Sequence, residues 1–206
     1  MKRLIWIQVL LFFAIHGFSQ NEYLPGYIIL NTNDTIHGKI INERDIFSGI
    51  YCIFHNKDSS IVRQYLPTEI KSYHLSNNRY FISKRLLIEN IERIVFLQVL
   101  EEGELNIYRY KDINRNLHYF IENKTLGITE LWPVKESMEV IENQPYMKTL
   151  RPFIGVLQYY TANEPTFKNR IKKMLDITGT SLIEIATDYH VFVCKKDDCK
   201  VYFYEY

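Results

Sequence analysis

The sequence has few cysteines, almost no excess charge and no long apolar run beyond its first residues. Three of 206 residues are cysteine, and 25 Lys and Arg stand against 24 Asp and Glu. Three cysteines are too few for a disulfide framework, and a near-neutral chain gives no support to nucleic-acid binding, which needs a basic surface. Beyond residue 15, no stretch reaches the roughly 18 apolar residues of a membrane-spanning helix. A globular composition remains, with 47% hydrophobic residues.

Motifs for catalysis and cofactor binding are also missing from the sequence. There is no Gly-x-Ser-x-Gly elbow, no phosphate-binding loop and no dinucleotide fingerprint. The histidines are scattered, and none forms a His-x-x-x-His or Glu-x-x-His pair with the spacing of metal ligands. We therefore predict no catalytic residues, no metal ligands and no cofactor.

The first nineteen residues differ from the rest of the chain. Lys2 and Arg3 precede an apolar run over residues 4–15, and small residues follow, ending at Ser19. A helix over that run rises only about 18 Å, too little to span a hydrocarbon core of about 30 Å. The pattern predicts a signal peptide over residues 1–19, cleaved after Ser19 or one residue later. Loss of its two basic residues gives the mature chain a formal charge of −1, since the full chain carries +1.

Residues 20–135 are predicted to be rich in antiparallel β-strands. Short β-prone runs alternate with turn signals, among them residues 31–34, 76–78 and 101–104, where Gly103 can supply a positive φ. Parallel strands would need longer crossovers. Large apolar groups occupy both faces of the runs within 105–122, so we expect this part of the sheet to be covered on both sides. A meander or a small sandwich- or barrel-like sheet fits this pattern.

Residues 136–206 are predicted to form a helical region that packs on the sheet as one structural unit with it, because its apolar stripes need a partner. The charged segment 135–144 is assigned to a connection or a short helix. Apolar spacing predicts a first helix over residues 146–161, which Pro152 kinks or begins. The resulting fold class is α+β, an antiparallel β-rich region followed by about three C-terminal helices.

Two further helices are predicted beyond residue 161. The second has Phe167, Ile171, Met174 and Leu175 as its apolar stripe and ends at Gly179. The third begins with a capping box formed by residues 181 and 184. A strand-like aromatic tail closes the chain.

Three segments and the helical tail together resemble a known group of proteins. The segments are Pro25–Gly38 (PGYIILNTNDTIHG), Phe96–Tyr108 (FLQVLEEGELNIY) and Tyr119–Ile121, and the tail contains DYHVFVC. They resemble secreted proteins of the Bacteroidota that carry an N-terminal PGYIV-x-N-x-x-DTI-x-G motif. Asn33 stands where that motif often has Gly, and Asn also tolerates the left-handed conformation. The resemblance implies an envelope or extracellular location and supplies no catalytic residues.

The cysteines near the C-terminus suggest one modification. Cys194 and Cys199 flank the short segment KKDD, and an exported chain permits a disulfide between them. Free thiols and a metal site that also uses His190 are the alternatives. Cys52 lies in an alternating strand and is predicted to be a buried thiol.

The first predicted hairpin carries a second candidate modification. Asp34-Thr35-Ile36 looks like the Asp-Thr-aliphatic acceptor for O-glycosylation in the phylum of the resembling proteins, which makes Thr35 a candidate site. A turn Asp before a β-branched strand residue explains the same three letters without a sugar. We interpret Asn31–Asp34 itself as the turn of a hairpin rather than as a ligand loop.

The function that these observations favour is a non-catalytic binding or assembly role in the cell envelope, with another envelope protein or a glycan as partner. Two alternatives stay open: a periplasmic hydrolase assembled from separate strands, and a small-ligand carrier with a site between sheet and helices. A set of basic residues allows contact with anionic lipid or polysaccharide, or forms an ordinary solvated helix face. That set is Lys168, Arg170, Lys172 and Lys173.

Overall fold

The structure is a computed structural model that describes residues 22–57, 59, 61–88, 91–194 and 202–203. The predicted signal peptide lies outside the described residues. In the described ranges the strands β1–β13 are Tyr23–Leu30, Thr35–Ile41, Cys52–Asn56, Val62–Tyr65, Ile70–Leu75, Tyr80–Ile88, Ile91–Glu102, Asn106–Lys111, Leu117–Asn123, Gly127–Leu131, Lys135–Ile141, Gln144–Leu150 and Tyr202–Phe203. The helices α1–α4 are Asp45–Ser48, Pro152–Tyr160, Phe167–Lys172 and Gly179–Val193.

One antiparallel sheet dominates the fold. Its strands follow the order β10-β9-β8-β7-β6-β5-β1-β2-β3-β4, and β13 pairs with β7 off this path. Most neighbours in the sheet are also neighbours in the chain; apart from β13, the exception is β5, which pairs with β1 after the chain has passed through β2, β3 and β4. The predicted α+β class, with an antiparallel β-rich part followed by C-terminal helices, is confirmed.

The first hairpin forms as the turn signal predicts. Asn33 adopts a φ of +76°, and the Leu30 N–H donates to the Asp34 carbonyl oxygen at 2.9 Å. Lys71 Nζ donates to the Asn33 side-chain oxygen from the neighbouring strand β5. The polar residues of this turn therefore close the turn and tie it to the sheet.

The sheet is buried on both faces where β7, β8 and β9 run side by side. Ile107 and Ile121 belong to a cluster that includes Phe153 of α2 and Leu182 of α4. Their chain neighbours, such as Phe120, point to the opposite face and join a second buried cluster. The C-terminal helices therefore cover one face, where each buried large apolar side chain contributes about 1.5–3 kcal/mol.

The segment between the sheet and the first long helix differs from the prediction. Residues 135–150 form neither a connection nor a helix, but the two-stranded hairpin β11–β12. Its loop is two residues long, and Glu142 and Asn143 have φ values of +50° and +61°. A left-handed Glu is unusual, so the sequence offers no ordinary turn signal here. The helix begins at Pro152, in agreement with the prediction that Pro152 could begin its main part.

The predicted ends of the last two helices also need correction. Gly179 does not end the second helix but begins α4, and it is buried with its N–H donating to the Tyr119 hydroxyl at 3.0 Å. The capping box is formed by Thr178 and Ser181, one turn before the predicted box. Leu175, assigned to an apolar stripe, is 75% exposed because α3 ends at Lys172.

Candidate interaction site

The β11–β12 hairpin is the most exposed element of the described chain. All fourteen of its strand residues are exposed, and so are the two loop residues. Both ends are anchored, because Leu131 before it is 1% exposed and Phe153 after it is fully buried. A two-stranded hairpin that buries nothing is marginally stable alone. The element is therefore an arm held at its base rather than a packed part of the core.

One face of this arm is mainly apolar, with Glu136 and Thr149 as its polar residues. Met138 pairs across the hairpin with Met147, and Val140 pairs with Pro145. Met138, Val140 and Met147 are 69%, 69% and 62% exposed. Exposed apolar patches of this kind mark interaction surfaces, and methionine adapts its shape to different partners.

The other face of the arm mixes charged and apolar side chains: Glu139 and Lys148 share it with the exposed Ile141, Tyr146 and Leu150. Lys148 Nζ donates to Glu139 Oε1 at 2.7 Å. At the base, Lys135 Nζ lies 5.0 Å from the centre of the Trp132 ring. Most of the charged side chains of the arm therefore lie on this face, whereas the face of Met138, Val140 and Met147 carries one, Glu136.

The two edges of the arm differ in what they can donate. A two-residue loop is closed by a hydrogen-bonded pair, here Ile141 with Gln144, and bonded pairs alternate with non-bonded ones along the hairpin. The N–H groups of β12 residues at non-bonded positions point outward, and Pro145 has none to offer. On β11 the outward peptide groups are those of Glu136, Met138 and Val140, and all three keep their N–H. Among the described residues no strand pairs with this β11 edge.

His190, considered above as a metal ligand, ties α4 to the sheet. The Leu105 N–H donates to His190 Nε2 at 3.0 Å, so Nδ1 carries the proton and bonds Glu101 Oε1 at 2.9 Å. Burial raises the pKa of the Glu101 carboxyl. The His190 and Glu101 side chains are 3% and 0% exposed, so a substrate has no access to them.

Gly103 lies beside this pair for a reason other than the one predicted. Its φ is not positive. A Cβ atom at this position would lie 2.6 Å from Cε1 and Nε2 of His190. Close approach of the imidazole ring therefore explains the glycine, and sequence reasoning missed it because the contact joins residues far apart in the chain.

A second buried histidine sits between two carboxylates. His118 Nδ1 bonds Glu130 Oε1 at 2.7 Å, and His118 Nε2 lies 3.6 Å from Asp112 Oδ2. The hydrogen bond with Glu130 raises the pKa of His118. Asp112 also accepts the backbone N–H and the side-chain amide of Asn116 at 2.7 and 3.0 Å. The side chains of Asp112, His118 and Glu130 are each 8% exposed. This buried cluster therefore stabilises the turn between β8 and β9.

Two arginines converge on one carboxylate near α1. Arg79 Nη2 and Arg109 Nη2 lie 2.9 and 3.2 Å from the two oxygens of Asp45. Arg79 also donates to Asn42, and Arg109 donates to Gln98 Oε1 at 2.7 Å. The arginine side chains are 12% exposed, and these bonds already engage them. This group joins α1 to β8 and to Arg79, the residue before β6.

The predicted modification sites lie apart from one another. Thr35 is an exposed residue at the start of β2, and its glycosylation stays a prediction. Cys52 is a free thiol, 2% exposed as predicted, and burial raises its pKa. Cys194 follows the end of α4 and is disulfide-bonded. Cys199 lies outside the described residues, so the pairing of Cys194 with Cys199 stays a prediction.

A cavity of about 490 Å³ lies between α2 and α3. Gly155, Tyr159, Glu164 and Lys168 are among its lining residues. The site is not between the sheet and the helices, where the ligand-carrier alternative placed it. Of the basic set on the second predicted helix, Lys168 faces this cavity and Arg170 pairs with Asp188 of α4.

Four rings form a row across β2, β1, β5 and β6. His37, Tyr27, His74 and Tyr80 follow one another with centroid distances of 5.6, 5.1 and 5.8 Å. Tyr27 and His74 are stacked on each other at 25°. The outer rings of His37 and Tyr80 are tilted at 56° and 58° to their neighbours, so only the central pair of the row is stacked.

The fold and site define a class: an α+β protein with one antiparallel sheet, helices on one face and a projecting apolar hairpin. Comparison with protein-family models, with curated proteins and with solved structures found no match. No helix in the described part of the chain is long and apolar enough to cross a membrane. Among these same residues, no group of three or more His, Cys, Asp or Glu is arranged to hold a metal ion.

Proposed function

We propose that this chain is an exported, non-catalytic protein of the bacterial cell envelope that binds another envelope protein through the β11–β12 arm. The single observation that carries the proposal is the exposed apolar face of Met138, Val140 and Met147. Exposure of these three apolar side chains to water, at 62–69%, is unfavourable, and a protein partner that covers them lowers the free energy.

The proposed export and the proposed non-catalytic role rest on separate observations. The apolar run 4–15 behind two basic residues supports export, and the resemblance to secreted proteins of the Bacteroidota points the same way. Glu101 with His190, and Glu130 with His118, are hydrogen-bonded pairs that are nearly buried. Their arrangement favours a binding role over the hydrolase alternative.

Site-specific photo-crosslinking in the native envelope tests the arm. A photoreactive residue replaces Met147, and the matched control replaces Lys124, an exposed residue at the tip of the β9–β10 turn. We expect a discrete crosslinked protein from position 147, absent from position 124 and weakened when Val140→Lys is added. No product at 147, or the same products from both positions, contradicts the proposal.

A small-ligand carrier is the second candidate, favoured by the cavity between α2 and α3. Gly155 lies in the middle of α2, and a Cβ placed there would have no heavy atom within 4 Å. Glycine in the interior of a helix destabilises it. A ligand that occupies the open space beside Gly155 would explain why a larger residue is not found there. Native mass spectrometry of the mature chain tests this candidate, since a carrier retains a small molecule that a Gly155→Leu variant releases.

A further inference from the structure

We infer that two copies of this chain pair through the free edges of β11, which joins their arms into one four-stranded sheet. The inference rests on the proposed function and names the first partner of the arm. It concerns the edge of the hairpin, whereas the apolar face stays available for the envelope partner.

Backbone geometry selects β11 as the pairing edge. The outward peptide groups of Glu136, Met138 and Val140 have both donors and acceptors, and a second antiparallel β11 offers the same groups in reverse order. The β12 edge lacks one hydrogen-bond donor at Pro145, and proline on an edge strand commonly prevents pairing with another strand. Widening the hairpin from two to four strands also supplies the backbone partners that an isolated hairpin lacks.

Charge selects the register of the pairing. When the two-fold axis passes through Ser137, Lys135 of each copy lies opposite Glu139 of the other, and Glu136 exchanges hydrogen bonds with Met138. Lys135 and Glu139 are on the same face of the strand, and at a non-bonded pair their side chains lie closest. Opposite charges directly across a ladder stabilise it. An axis through Met138 would instead place Lys135 opposite Ile141 and form no ion pair.

The same symmetry combines the two apolar faces. Antiparallel partners in register project their side chains to the same side of a sheet, so Met138 of both copies lies on one face. Val140 and Met147 are on that face as well. The dimer therefore carries the apolar side chains of both arms on one face, with Glu136 of each copy opposite Met138 of the other.

A charge exchange tests the pairing in solution. Lys135→Glu alone places two carboxylates opposite each other twice in each dimer, and Glu139→Lys alone places two ammonium groups opposite each other twice. In a mixed dimer of the two variants, one pair joins the two substituted side chains and the other joins Lys135 with Glu139, so both pairs again have opposite charges. By sedimentation equilibrium we expect a dimer for the unaltered mature chain, at least roughly tenfold weaker self-association for each variant, and recovery in the equimolar mixture.

Cysteine substitution tests the register. Under mild oxidation we expect Ser137→Cys to form a disulfide-linked dimer, since directly opposed residues at a non-bonded pair have Cα atoms about 4.5 Å apart, within disulfide range. Lys124→Cys and the unaltered chain give the background. Preferential linkage of Met138→Cys instead overturns the Ser137 register.

The two proposals fail separately. A chain that is monomeric at its highest soluble concentration, with no rescue in the mixture, ends the pairing inference. Crosslinks from position 147 to an envelope protein in that same chain leave the proposed function standing. Loss of those crosslinks in a chain that still dimerises removes the proposed function alone.

Discussion

The structural roles of several residues in this protein depend on contacts between distant parts of the chain more than on their neighbours in sequence. Gly103, Glu101 and His190 come from two distant segments, yet the ring of His190 fills the space that a side chain at 103 would need. The scattered histidines gave no sequence signal for these roles. Their positions on buried faces of strands and helices become meaningful only when the sheet and α4 meet.

Replacement of Gly103 by Ala is expected to destabilise the fold by about 1–3 kcal/mol, because the added methyl overpacks against His190. The backbone at 103 does not need a left-handed conformation, so the cost is steric alone. Urea unfolding of G103A, H190A and the double variant gives a double-mutant cycle. We expect the cost of G103A to disappear largely in the H190A background, and an additive result would contradict this account.

The His118 cluster predicts a stability that depends on pH. The hydrogen bond with Glu130 raises the pKa of His118 above that of the unfolded chain, about 6.5. The protonated ring therefore stabilises the native state fully below the unfolded pKa. This contribution is lost as pH rises through the raised folded pKa. Chemical denaturation from pH 5 to 9 should show the decline.

Glu130→Gln is the matched variant for this test. It keeps the size of the side chain and removes the charge that bonds His118 Nδ1. We expect a loss of about 1–3 kcal/mol at acidic pH and a flatter profile above neutrality. An unchanged profile would show that another group carries the pH dependence.

At the scale of elements, α2 has a glycine that its packing does not require. Gly155 is exposed in the middle of the helix, and a Cβ there would enter open space. Gly155→Ala is therefore expected to stabilise the protein by about 0.5–1 kcal/mol, because alanine restricts the unfolded chain and suits a helix. Thermal unfolding measures the gain, and a loss of stability would show that the site needs the glycine backbone.

The strands and the helices were predictable from sequence to different degrees. Turn residues such as Asn33, with alternation around them, identify the first hairpin correctly. The β11–β12 arm was missed because its charged residues hide the alternation of Met138 and Val140, and because Glu142 is a rare residue for a tight turn. Helix ends shifted where Gly179 starts a helix instead of ending one.

At the scale of the whole molecule, the proposed export predicts a mature chain with a defined N-terminus. The predicted cleavage removes Lys2 and Arg3, so the mature chain should begin at Gln20, or at Asn21 if the cut falls one residue later. Intact mass spectrometry of the exported chain, followed by alkylation without reductant, measures both the terminus and the thiols. We expect one labelled thiol per chain, that of Cys52 after unfolding. Three labelled thiols would exclude the Cys194–Cys199 disulfide.

The sequence by itself determined the class of the fold, the order of strands before helices and the turn at Asn31–Asp34, because period and turn chemistry are local properties. Only the tertiary structure decided the arm and its apolar face, since exposure is a property of the packed molecule. It also decided that His190 contacts Glu101 and Gly103, because this contact arises from the packing of α4 on the sheet and no residue spacing in the sequence indicates it.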